Sequence, residues 1–200
     1  MLEKIINLDK QILIYLNSLG SETFDPFWLF ITKQSSWIPF FIFLLVLILK
    51  KIGPKQAIIL ILFLAVLLTV NNEITEFFKF TFQRLRPCND TTINHIIRNV
   101  KPSTSFSFFS GHSSNTMAVF VFLYLIFRKH YKYFGLLIFW PFVFAYSRIY
   151  LGLHFPTDII CGYLCGLING YLTFKLYKIF HKKYFLIFYE NLFLNYMTVR

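Results

Sequence analysis

The sequence predicts an all-α fold, a polytopic membrane helix bundle of about five to six transmembrane helices within a single domain over residues 1–200. Three observations predict it. Hydrophobic residues fill 56% of the 200 positions and charged residues only 14%, a balance foreign to soluble domains of this length. The 27 Phe and 12 Tyr suit lipid-facing and interfacial surfaces better than a small aqueous core. Apolar runs are punctuated by basic turns at Lys50, Lys51 and Lys55, at Arg128, Lys129 and Lys132, and at Lys175, Lys178, Lys182 and Lys183, as topology signals are.

The elements follow in order. Ile5 to Leu19 places Ile5, Ile6, Leu8, Ile12, Leu13 and Leu16 at near-helical spacing with Lys4, Asp9, Lys10 and Asn17 between them, the pattern of an interfacial amphipathic helix. No charged-then-apolar-then-small pattern of a cleavable leader is apparent there. Asp25-Pro26 has the form of a helix start, Asp as cap and Pro at the first helical position, opening a short helix to Lys33. Ser36 to Leu49 and Ala57 toward Phe80 are expected as two antiparallel spans, separated by Lys50-Lys51 and the breaker Gly53-Pro54. A polar loop runs from about Gln83 to Ser110. Further spans are expected near Ser113 to Phe127, Tyr133 to Ala145 and Pro156 to Phe174, some short enough to need interfacial flanks. In the last, Gly162, Gly166 and Gly170 form a stripe that permits close helix contact. The basic, aromatic tail from Lys182 to Arg200 is expected at the surface or interface.

The formal charge of +11 does not indicate nucleic acid, because the cations sit between apolar runs and not on one water-exposed face. Cys88, Cys161 and Cys165 offer neither an even disulfide framework nor a paired zinc spacing. Cys161 and Cys165 are expected as small buried hydrophobes.

If the basic turns lie in the cytoplasm, the opposite ends of the spans carry three polar clusters: Lys79 with Arg86-Pro87, Ser110-Gly111-His112, and Ser147-Arg148 with His154 and Asp158. Lys79, Arg84, Arg86, Arg98 and Lys101 occupy that outer side, so some serve a purpose other than topology. Phosphoryl transfer needs cations around the non-bridging oxygens, a nucleophile in line and an acid for the leaving oxygen. Ser110 to Thr116 supplies a helix start whose free amides bind anions. Asp158 lies four residues after His154 and can hold one ring nitrogen while the other remains free as a nucleophile. Arg148 can fork onto the same phosphate. Taken singly, each cluster has a structural reading: a snorkelling Lys, a polar cap, a His–Asp pair. Glu76, three residues before Lys79, is expected to pair with it.

Together these residues resemble the signature of the type 2 phosphatidic acid phosphatase superfamily, which includes lipid phosphatases and vanadium haloperoxidases. Its parts are Lys, six residues, Arg-Pro; then Pro-Ser-Gly-His; then Ser-Arg, five residues, His, three residues, Asp. The chain matches the first and third completely, and Phe109 replaces the Pro of the second. The resemblance implies that His154 attacks phosphorus to form a phosphohistidine, that His112 protonates the leaving oxygen and later activates water, and that Asp158 orients His154. It implies phosphate binding by Lys79, Arg86, Ser110, Gly111 and Arg148, with no cofactor and no metal. The expected activity is metal-independent lipid phosphatase action in the cytoplasmic membrane, facing the periplasmic or extracellular side. The partner is a phospholipid or polyprenyl phosphate, first among them undecaprenyl diphosphate, with phosphatidylglycerol phosphate, phosphatidic acid and lipid A as alternatives. A lipid phosphotransferase is a further reading within the family, and a noncatalytic membrane scaffold or transporter one outside it.

Overall fold

The computed structural model describes residues 2–186, side chains at 3–184. Six α-helices carry the structure: α1 (Leu2–Ser18), α2 (Asp25–Thr32), α3 (Ile38–Phe82), α4 (Gly111–Phe127), α5 (Phe139–Tyr150) and α6 (Pro156–His181). No strand occurs among the described residues.

Helix α3 is two limbs. Gly53 has φ 75° and ψ 168°, outside helical space, and Pro54 follows it. Proline lacks the N–H that would continue the hydrogen-bond ladder, and glycine accepts the positive φ without a Cβ clash. Leu44, Leu45 and Ile48 of the first limb line one cavity with Ile61, Leu64 and Leu68 of the second. Leu44 and Leu64 would stand roughly 30 Å apart on a straight helix, so the limbs fold back on each other. Among the described residues, two helices, within 34–89 and 156–184, are long and apolar enough to cross a membrane. Large apolar residues such as Ile42, Phe43, Leu62 and Val66 on α3 and Leu164, Ile168 and Leu172 on α6 are exposed, as a lipid-facing surface requires.

Helices α4 and α6 make the most extensive contact. A Cβ on Gly162 would lie 2.6 Å from the Ser110 carbonyl oxygen, one on Gly170 2.6 Å from that of Ala118, and one on Gly166 would collide with Ser114 O. The glycine stripe is therefore the surface on which α4 rests. Buried Asn71 ties α3 to both: its Oδ1 accepts from Ser114 Oγ at 3.0 Å and Asn169 Nδ2 at 2.8 Å, and its Nδ2 donates to Asn115 Oδ1 at 2.5 Å. A polar knot of this kind fixes the rotation of helices that have no hydrophobic driving force between them in lipid.

Several expectations are corrected. The Tyr133 to Ala145 segment begins as a 3₁₀ turn at Phe134–Ile138 and its α-helix runs on to Tyr150, so Ser147 and Arg148 are helical. Asp25 does not cap α2. Its carboxylate takes Arg98 Nη2 at 2.8 and 2.9 Å and the Tyr150 hydroxyl at 2.7 Å, a charge-assisted pairing stronger than a neutral cap. Cys161 and Cys165 are half-buried. On α1, Asp9 and Asn17 are not part of a solvated face: they are 3% and 1% exposed, whereas Ile5, Ile6, Leu8 and Ile12 face outward. Asn17 is spent on backbone, accepting from Arg98 N at 2.7 Å and donating to Tyr150 O at 2.8 Å. The tail beyond Leu186 lies outside the described residues.

Candidate active site

The ends of α2, α3, α4 and α5 and the turn before α6 converge with the loop 83–110 on a cavity of about 540 Å³. Lys79, Arg86, Gly111, His112, Arg148 and His154 line it. Six of the eight residues expected in the site are thus brought to one wall. The other two, Ser110 and Asp158, sit behind it and are fully buried.

Each residue is held for a local reason. Lys79 stands in the last turn of α3 and pairs with Glu76 Oε1 at 2.6 Å. Pro87 opens a 3₁₀ turn directly after Arg86, which is extended (φ −72°, ψ 155°). Arg86 is 4% exposed and donates Nε to Ser105 O at 2.9 Å, Nη2 to Ser105 Oγ at 2.9 Å and Nη1 to Leu153 O at 3.0 Å. Burial lowers its pKa, though an arginine remains charged throughout the working range. Ser110 is the N-cap of α4 and accepts from Ser113 Oγ at 2.9 Å and, more weakly, Ser113 N at 3.4 Å. Its hydroxyl is therefore committed to the helix start, while Gly111 lets the backbone reach the cavity. The His112 ring stacks on Phe144, centroids 5.5 Å apart. Arg148 is 5% exposed and donates Nη1 to Thr32 Oγ1 at 2.7 Å, and its buried Nε has no partner among the described residues.

His154 and Asp158 form the centre. Pro156 starts α6, and Asp158 Oδ2 reaches back to accept Phe155 N at 2.9 Å. The same oxygen lies 3.5 Å from His154 Nδ1, longer than a well-formed hydrogen bond. Ser107 Oγ bridges the gap, 3.4 Å from Nδ1 and in short contact with Asp158 Oδ2. The other ring nitrogen, Nε2, faces Arg86 Nη1 at 3.1 Å. An arginine only donates, so Nε2 carries the lone pair and the proton sits on Nδ1, toward the carboxylate. Burial, with Arg86 and Arg148 nearby, outweighs Asp158 and holds the His154 pKa down to about 3. The imidazole is therefore neutral, as a nucleophile must be.

Residues that the sequence reading missed support this centre. Arg84 gives Nη1 to Asp158 Oδ1 at 2.7 Å and Thr157 Oγ1 at 2.8 Å, and Nη2 to Asp9 Oδ2 at 2.7 Å. Its guanidinium lies 3.9 Å over the Phe155 ring. Asp9 Oδ1 accepts Thr157 N at 2.9 Å. The signal for Arg84 was the excess of cations on the outer side. Ser105, Ser107 and Thr32 carried no signal, because a serine or threonine in a loop is indistinguishable from solvated turn chemistry until the fold closes around it.

A second cavity of about 540 Å³ adjoins the first, sharing His112 and Gln34. Its walls are apolar, with Leu44, Ile48, Leu64, Leu68 and Trp140 among them.

Comparison with known proteins accords with this geometry. The model of the PAP2 superfamily matches residues 40–182. The chain belongs to the PAP2 superfamily. It is 30% identical over 186 residues to a lipid A 4'-phosphatase of Bacteroides thetaiotaomicron, covering 91% of this chain and 81% of that protein. It is 31% identical over 183 residues to the lipid A 4'-phosphatase of Porphyromonas gingivalis, covering 88% and 75%. An undecaprenyl-diphosphatase of Sulfolobus acidocaldarius is 27% identical over 177 residues, covering 87% and 81%. Among solved structures, the PAP2 type phosphatidylglycerolphosphate phosphatase of Bacillus subtilis superposes with a TM-score of 0.66 at 21% identity, covering 90% of this chain and 88% of that one. Aquifex aeolicus LpxE gives 0.64 at 21% identity, covering 82% and 93%. These PAP2 neighbours share the all-helical fold, and the chain is a membrane protein of that fold.

Proposed function

We propose that this PAP2 protein is a membrane lipid phosphatase that cleaves a phosphate ester through a phosphohistidine on His154. The observation that carries the reading is the shared wall: His112 faces both a cation-lined cavity and an apolar one, which suits a ligand with a phosphate at one end and hydrocarbon at the other.

In the proposed reaction, Nε2 of His154 attacks phosphorus and the bond to the lipid oxygen breaks, with His112 giving that oxygen its proton. Asp158 stabilises the charge that develops on the imidazole through Ser107 and the Nδ1 proton. Lys79, Arg86, Arg148 and the amide at Gly111 hold the phosphoryl oxygens, and the helix start capped by Ser110 aims that amide. His112 then takes a proton from water, the hydroxide attacks phosphorus, and the P–N bond breaks to release inorganic phosphate.

The substrate class we favour is a lipid phosphomonoester of the kind found on lipid A, because two relatives of that activity align over most of the chain. Undecaprenyl diphosphate, the first expectation from the sequence, is supported by the undecaprenyl-diphosphatase relative and stands as the second reading. We place five crossings at 38–52, 54–82, 111–127, 134–150 and 156–181, with α1 lying in the interface and the cavity opening on the outer face of the cytoplasmic membrane.

The test is phosphate release from purified protein in detergent against lipid A, undecaprenyl diphosphate and phosphatidic acid, with EDTA present. Turnover of one or more lipids, lost in His154→Ala, is the expected result, together with an acid-labile, base-stable phosphoprotein on rapid quenching. Undiminished turnover by His154→Ala, or label on His112, would overturn the mechanism.

A further inference from the structure

The polar cavity carries more positive charge than one phosphate needs. Among the described residues five cations line it, namely Lys33, Lys79, Arg86, Lys101 and Arg148, and no carboxylate does. Glu76 offsets one through Lys79. A bound phosphate monoester brings about −1.5 to −2, leaving roughly two cations uncompensated. The residues expected at the reacting phosphate account for Lys79, Arg86 and Arg148. Lys33 and Lys101 are the surplus.

Both surplus lysines are exposed, and among the described residues neither ammonium has a carboxylate or hydrogen-bond partner. The Lys101 ammonium is pushed below its ordinary pKa by burial and by the facing Arg148 and Arg86. Like charges turned toward one cavity cost free energy unless an anion enters between them. Space permits a second group: at about 30 Å³ per water-sized unit, a five-atom phosphate takes no more than roughly 150 Å³, against about 540 Å³ for the cavity. Ser35 and Ser103 stand on the same wall as the two lysines and offer hydroxyl donors.

We propose that Lys33 and Lys101 form a second anion subsite on the exposed side of the cavity, which holds a second phosphate of the substrate while the first reacts at His154. The inference deepens the lipid phosphatase reading and rests on it. The second phosphate is either the neighbour in a lipid diphosphate or a remote one on a doubly phosphorylated headgroup.

Binding to His154→Ala protein in detergent separates this subsite from turnover. Dissociation constants are measured for two matched pairs: phosphatidic acid against diacylglycerol diphosphate, and monophosphoryl lipid A against its bisphosphorylated form. The extra phosphate is expected to tighten binding by about tenfold or more in one pair, as a new charge-assisted contact does. That gain should vanish when Lys33→Ala and Lys101→Ala are combined. A gain in the first pair identifies the adjacent phosphate, and a gain in the second the remote one. No gain in either pair, or a gain that survives the double substitution, overturns the subsite. Wild-type protein that releases no phosphate from any of the four lipids or from undecaprenyl diphosphate defeats the phosphatase reading separately.

Discussion

Arg84 grips Asp158 with one guanidinium nitrogen and Asp9 with the other, both at 2.7 Å. The carboxylate behind His154 is thereby tied to the first helix of the chain. Asp9 and Asp158 have side chains 2% and 0% exposed, so Arg84 is the counter-charge of two buried carboxylates.

Removing the cation should therefore disturb both ends. Arg84→Ala is expected to cost about 3 kcal/mol or more of stability, since it strands two buried charges, and to lower kcat more than it raises KM, because Arg84 does not line the cavity. Arg84→Lys should recover part of kcat. Steady-state kinetics with thermal unfolding in detergent checks this, and a wild-type kcat in Arg84→Ala would refute the link to Asp158.

Arg148 is aimed by Thr32, and its fork is what a lysine lacks. Arg148→Lys should lose about 1.5 to 3 kcal/mol of phosphate contact, roughly a ten- to hundredfold fall in kcat/KM. Thr32→Val should show a smaller fall, and the two together less than their sum, because one removes what the other positions. Additive losses in a double-mutant cycle would mean that Thr32 acts elsewhere.

His154 titrates near pH 3 in the fold and near 6.5 in an unfolded chain. Between those values the unfolded chain binds more protons, so stability rises with pH and falls away as pH drops from about 6.5 toward 3. Unfolding midpoints between pH 4 and 7 should climb in wild type and climb less in His154→Gln. Parallel slopes in the two proteins would show that another group governs acid sensitivity.

Sidedness is open to labelling. A cysteine in the 89–101 loop, with Cys88 first replaced, should react with an impermeant thiol reagent in intact cells, because ten cations mark the other turns. Reaction only after lysis would reverse the orientation.

The residues gathered on the polar cavity were legible because they are charged or titratable, punctuate apolar runs and keep fixed spacings: Lys79, Arg86, His112, Arg148 and His154. The break at Gly53-Pro54 was legible because its backbone requirement is local. What escaped depends on long-range closure. Asp9 reads as a solvated charge by residue type alone, although it shares a helix face with Leu13 and Asn17, and it is buried with Arg84, 75 residues later, as its counter-charge. Asp25 looked like a cap, but the charge on Arg98 outbid the backbone amides. Ser107 gained its place only when the 83–110 loop folded over the start of α6.

The glycine stripe on α6 has a consequence for catalysis. Helix α4 begins at His112's own turn and α6 begins two residues before Asp158, and the two helices are set against each other where three side chains are missing. The stripe acts as a spacer gauge between His112 and Asp158. Gly162 is the critical notch, since it meets the carbonyl of Ser110, the residue whose amide also donates to Asp158 O at 3.0 Å. A single methyl there would pry the starts of α4 and α6 apart without touching any residue that lines the polar cavity.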